Sequence, residues 1–214
     1  MGIKKEIIVG IDEAGRGPLA GPVVAACASF KVNKVIKLKG LNDSKKLSEK
    51  RREELYEILT KHENIRWGVG IVSEKVIDKI NILEATKLAM QKAINDLEKR
   101  YTTNSKALQF GVYPRKADFL LLDGNFRIDS EIAQMAIVKG DQKVFSIAAA
   151  SIIAKVTRDR LMQKMHVKYP GYGFDGHKGY GTAAHMAAIK RLGPCKIHRK
   201  TFWPISGLAK NADI

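Results

Sequence analysis

Asp12 and Glu13 end an apolar run, Ile7-Ile8-Val9-Gly10-Ile11, and lead after one alanine into Gly15-Arg16-Gly17. A strand built on those aliphatics is mostly buried, so carboxylates at its tip sit at the margin of the core, where like charges crowd unless a cation neutralises them. Two more acids stand at comparable places. Asp123 closes the apolar run 117–122 ahead of Gly124, and Asp141 follows Lys139-Gly140 after the run 132–138. Taken singly, Asp123-Gly124 is also a turn dipeptide and Asp141 a helix cap. Brought to one edge of a sheet, the four would make a negative well that binds hard cations. Oxygen-only ligation favours Mg2+ or Mn2+, and two such ions roughly 3.5–4 Å apart clamp the attacking water and the leaving oxygen of a phosphodiester.

The charge balance agrees with a polyanionic partner. The 214 residues carry 38 lysines and arginines against 22 acids, a formal net charge of +16. A lysine-rich surface of the heat-adapted kind has the same composition, so charge alone leaves both readings open. Without metals the four acids would repel the phosphates that the basic surface attracts. Cys27 and Cys195 lack the partners of a zinc site or disulfide framework, and no apolar run approaches the ~20 residues of a membrane span. A cytoplasmic monomer with no membrane association is expected.

The elements that must position these acids follow from periodicity and punctuation. Strands are expected at the opening run, at 23–30, 65–72, 117–122 and 132–138. Helices are expected after Ser48, after Ser73 and Asn81 as successive caps, from Lys143 to about Lys168, and from about Ala183 to Leu192. The small-residue stretch after Lys143 should press closely on the sheet. The fold class is α/β, a mixed five-stranded sheet flanked by helices with its first three strands antiparallel. One domain spans 1–214, with a small helical C-terminal segment from about residue 169.

The ordered set Asp12-Glu-Ala-Gly-Arg-Gly17, Asp43-Ser-Lys-Lys-Leu47, Leu121-Leu-Asp-Gly124, Lys139-Gly-Asp141, Ser146 to Lys155 and Gly179-Tyr-Gly-Thr182 closely resembles ribonuclease HII, a type 2 ribonuclease H, in its bacterial form. The resemblance runs from about residue 7 to 204. It implies a ribonuclease H-like fold and endonucleolytic cutting of the RNA strand in RNA/DNA hybrids and at single ribonucleotides embedded in duplex DNA. It also implies that Asp12, Glu13, Asp123 and Asp141 are the metal-binding catalytic carboxylates, that Gly15-Arg16-Gly17 is the ribonucleotide-sensing turn, and that Tyr180 stands beside the RNA–DNA junction. The expected mechanism is in-line attack by water, activated by two divalent ions, on the phosphate 3′ of a ribonucleotide, leaving 5′-phosphate and 3′-hydroxyl ends.

Elementary chemistry is compatible with these roles. Telling RNA from DNA requires contact with the 2′-hydroxyl, and glycines flanking Arg16 let the backbone come close enough to make it. Tyr180 adds a phenol and a ring face, although a loop tyrosine half-buried against the tail has the same sequence appearance. Lys45, Lys46 and the cluster Lys196, His198, Arg199 and Lys200 are candidate phosphate contacts, with Lys46 and Arg199 foremost.

Competing readings are a dinucleotide-binding loop, a non-catalytic nucleic-acid binder, a resolvase or transposase on the same fold, and a type 3 ribonuclease H. The acids and Pro18 oppose the first. The strand-end carboxylates oppose the second, which they would only hinder. Arg16 in the turn favours type 2 over type 3. A metal-free route with the 2′-hydroxyl as nucleophile would need a histidine pair from His62, His166, His177, His185 and His198, and no paired motif exists.

Overall fold

The computed structural model describes residues 6–31, 41, 47–102 and 116–208. Its five strands are β1 (Ile8–Ala14), β2 (Val23–Phe30), β3 (Ile65–Val72), β4 (Phe119–Asp123) and β5 (Ala133–Ile137). They form one sheet in the order β3-β2-β1-β4-β5. The β1–β2 and β2–β3 pairings are antiparallel, and β1–β4 and β4–β5 are parallel. The mixed sheet and its antiparallel beginning match the reading of the sequence.

Helix α2 (Glu74–Thr102) covers one face; α1 (Glu49–Lys61) and α3 (Phe145–Lys168) cover the other. Strand alternation divides the core accordingly. Val9, Ile11, Ala25, Cys27, Leu120 and Leu122 pack with α2, while Ala14, Ala26 and Ala28 pack with α1 and α3. Inside α2 the backbone breaks at Asn81, whose φ is 65°, and its side-chain oxygen accepts from the N–H groups of Leu83 and Glu84. The cap read from the sequence thus restarts the helix in mid-element.

The close approach of α3 depends on Gly10. A Cβ there would lie 2.4 Å from the backbone of Ser146 and Ile147. Ala148, Ala149 and Ala150 on the facing turn are buried, so small residues on both sides let the helix lie against the strands that carry the acids.

Past α3, the short helices α4 (Phe174–His177), α5 (Ala183–Leu192) and α6 (Ile205–Leu208) make up the C-terminal segment. Backbone hydrogen bonds from Leu19 to Gly179, Gly21 to Ile197 and Arg199 to Leu19 stitch it onto the β1–β2 loop. Among the described residues no helix is long and apolar enough to cross a membrane.

Candidate active site

Asp12 and Glu13 lie within β1 and not beyond its tip, because pairing with β2 continues through Ala14↔Val24. Alternation then sends them to opposite faces. Asp12, opposite Ala26, faces α3 and is 4% exposed; Glu13, opposite Ala25, sits at the strand end on the other side. Asp123 ends β4, the parallel neighbour of β1, one residue past the Ile11↔Leu122 pair. Asp141 is buried in the 3-10 turn Gly140–Gln142 that precedes α3. Gly140 donates its N–H to Asp123 Oδ1 at 2.7 Å, which ties the last two acids together.

Burial, then the charges of Glu13 and Asp123, raise the Asp12 pKa well above the carboxylate range; a hydrogen bond from Ser151 on α3 opposes them. Glu13 is also raised, first by burial and also by Asp123, against the Arg16 guanidinium 3.3 Å away. Asp12, Glu13 and Asp123 therefore share one electrostatic neighbourhood. Among the described residues no three His, Cys, Asp or Glu side chains stand close enough to hold a metal as they are. The carboxylates form an open group, not a closed cage. Among the described residues Glu13 Oε2 nevertheless has no hydrogen-bond partner, although it is buried. Hard oxygen donors, charge crowding and an orphaned carboxylate oxygen fit a divalent cation, and Asp12, Glu13, Asp123 and Asp141 are the residues that could hold it.

The turn after β1 lies beside this group. Arg16 and Gly17 are exposed, whereas Gly15 is buried at φ 95° with the Arg158 side chain against its Cα. Arg16 also lies over the Phe126 ring, 5.6 Å from its centroid. Tyr180, 43% exposed, places its ring edge near Gly17. The structure thus brings Glu13, the Gly15–Gly17 turn and Tyr180 into one surface.

Arg199 does not belong to that surface. The side chain read from sequence as a phosphate contact is fully buried, donating to the carbonyls of Gly15, Arg16 and Gly21 at 2.6–3.0 Å. Burial, and after it the charge of Arg158, push its pKa down to about 9. A basic residue in a basic stretch looks solvated in sequence, and only the three-dimensional contact with the β1–β2 loop reveals it as internal. Lys45 and Lys46 lie outside the described residues.

The ribonuclease HII family model matches residues 9–204. The chain belongs to the ribonuclease HII family. Curated ribonuclease HII proteins include that of Chlamydia trachomatis serovar A, 52% identical over 198 residues, or 92% of this chain and 82% of that one. The Clostridioides difficile ribonuclease HII is 52% identical over 195 residues, 91% of this chain and 69% of that one. Among solved structures, ribonuclease H2 from Pyrococcus horikoshii superposes with a TM-score of 0.69 at 26% identity, covering 96% of this chain and 98% of the other. The protein is accordingly a nuclease built on the ribonuclease H-type mixed sheet.

Sequence reasoning passed over the individual roles of Ser151, Arg158 and Phe126. Ser151 and Arg158 sit seven residues apart on α3, two turns along one face, and that spacing was the available signal. Nothing local marked Phe126.

Proposed function

We propose that the protein is an endoribonuclease that cuts the RNA strand of RNA/DNA hybrids, and single ribonucleotides embedded in duplex DNA, by hydrolysis with two divalent ions, Mg2+ or Mn2+, leaving 5′-phosphate and 3′-hydroxyl ends. One observation carries this reading. Three mutually repelling carboxylates, Asp12, Glu13 and Asp123, one with a buried unsatisfied oxygen, adjoin an exposed glycine-flanked turn in a chain of net charge +16.

Asp12, Glu13, Asp123 and Asp141 would hold the ions, which when bound supply positive charge to the phosphodiester and a nucleophilic water at neutral pH. The chain's own residues orient the substrate. The exposed Arg16 and Gly17 present backbone groups to the 2′-hydroxyl, Tyr180 offers a ring face beside them, and Ser151 keeps the Asp12 carboxylate turned to its task. The C-terminal segment from about residue 169, with Lys45 and Lys46, supplies further contact to the nucleic acid.

A histidine route with the 2′-hydroxyl as nucleophile lacks support. His185 and His198 are 0% and 2% exposed and bond to each other, and His177 is bonded to the Tyr172 carbonyl. The test uses a duplex carrying one ribonucleotide, with and without Mg2+ or Mn2+. Metal-dependent cleavage at the ribonucleotide with a 3′-hydroxyl end is expected. A 2′,3′-cyclic phosphate, or full activity in chelator, would overturn the reading.

A further inference from the structure

Two buried guanidiniums meet behind the Gly15–Gly17 turn. Arg199 donates to the carbonyls of Gly15 (2.6 Å), Arg16 (2.7 Å) and Gly21 (3.0 Å). Arg158, from α3, donates to those of Ala20 (3.2 Å), Pro22 (3.0 Å) and Lys178 (3.0 Å). Among the described residues neither arginine has a carboxylate in salt-bridge range; the carboxylate beside Arg158, that of Asp159, pairs with Lys155. The charges of Glu74, Asp78 and Asp159 are felt only from beyond that range. Two like charges held out of water against neutral carbonyls and the rings of Phe202 and Tyr180 are a costly way to fasten a loop. The geometry they impose offers a use for that cost.

A trans peptide is planar, with its C=O and the next residue's N–H pointing in opposite directions. Since the Gly15 and Arg16 carbonyls point inward at Arg199, the N–H groups of Arg16 and Gly17 point outward. Both residues are exposed, and neither N–H donates to another described group. The forked guanidinium suits this arrangement because one rigid plane fixes two successive peptides, which a lysine ammonium cannot do.

We infer that Arg199, backed by Arg158, is a positioning residue for ribonucleotide recognition, holding the Arg16 and Gly17 N–H groups outward beside Glu13 and Tyr180. This rests on the function proposed above and adds to it the device that keeps the sensing turn in register. Neither arginine touches the substrate. Their effect falls on placement, so the loss should appear in cleavage at a ribonucleotide and not in general affinity for duplex.

Arg199→Lys and Arg158→Lys keep the charge and remove the fork. In variants whose circular dichroism matches the wild type, kcat/KM on a single-ribonucleotide duplex should fall on the order of 10²-fold, while affinity for an all-DNA duplex stays within about twofold. Equal losses in both, or none in either, would overturn the inference. Amide exchange on the intact wild-type protein gives a measurement free of folding effects. Arg16 and Gly17 should exchange fast in the free protein and slow about tenfold with the ribonucleotide duplex but not with all-DNA. Slow exchange of these two amides in the free protein would overturn the inference whatever the variants do. A wild-type protein that does not cut the single-ribonucleotide duplex would overturn the functional reading and the recognition role with it. An active wild type with unaltered lysine variants would overturn the positioning role alone.

Discussion

The Ser151 hydroxyl hydrogen-bonds the Asp12 carboxylate from across the β1–α3 contact. Asp12 Oδ1 also accepts the Glu13 N–H at 2.7 Å, so helix and strand both orient this acid. Ser151→Ala removes the helical half and leaves the carboxylate in place. The concentration of Mg2+ or Mn2+ needed for half-maximal cleavage should rise about 10–100-fold, the usual cost of losing a partner behind a metal ligand. A metal titration of cleavage rate checks it, with thermal unfolding in chelator expected to change little.

Asp12 is almost fully buried with its pKa raised by burial, Glu13 and Asp123, so ionising it is harder in the folded chain than in the unfolded one. At neutral pH without metal this costs stability. Asp12→Asn keeps the size and a hydrogen-bond acceptor and removes the charge. Stability in chelator should rise by on the order of 1 kcal/mol, while cleavage falls about 10³-fold. Urea unfolding and a single-turnover assay measure the two halves. A gain in stability with added Mg2+ should be present in the wild type and absent in the variant.

Gly10→Ala tests the contact that brings α3 onto β1. The new methyl would lie 2.4 Å from Ile147 N, a backbone atom that cannot turn aside. The helix must shift, at a cost of about 1–3 kcal/mol. Because α3 carries both Ser151 and Arg158, cleavage should also drop, in contrast with the neutral effect expected of an alanine at the exposed Gly176, where a Cβ meets nothing. Thermal unfolding and activity of the two variants separate these cases.

How far the sequence reached depended on whether a residue's environment is local. Val23–Phe30, Ile65–Val72 and Ala183–Leu192 have the bounds expected of them, because alternation, helical spacing and the glycines and caps that end them lie within a few residues. The placement of Asp12 and Glu13 inside β1 was less legible, since the strand's length is set by its pairing with β2. Arg199 was misread for a stronger version of the same reason. Its partners, Gly15, Arg16 and Gly21, are nearly the whole chain away, and no local pattern distinguishes a buried arginine from a solvated one. The four acids could be singled out as candidates from sequence, but their open arrangement, with Glu13 across the strand from Asp12, could not.

Acid should loosen the C-terminal segment through its histidines. His198 Nδ1 accepts the Cys195 N–H at 2.9 Å, so its Nε2 carries the proton and donates to His185 Nε2 at 3.1 Å. His185 Nδ1–H then donates to the Tyr180 carbonyl at 2.9 Å, which leaves both rings neutral. Burial, and secondarily His185, push the His198 pKa down to about 4, and burial also lowers His185. The folded state therefore binds fewer protons than the unfolded chain, whose histidines titrate near 6.5. The contribution is complete above that value and is lost progressively as the pH falls from about 6.5 towards about 4. Asp12 and Glu13, with raised pKa values, act in the opposite sense over part of the same range, so the comparison must be between variants. His198→Asn, which cannot take up a proton, should be less stable than the wild type at pH 8, and the gap should narrow as the pH falls to 5. Urea unfolding at both pH values decides it, and a constant gap would show that the folded His198 takes up protons as readily as the unfolded chain, so that the relay does not hold it neutral.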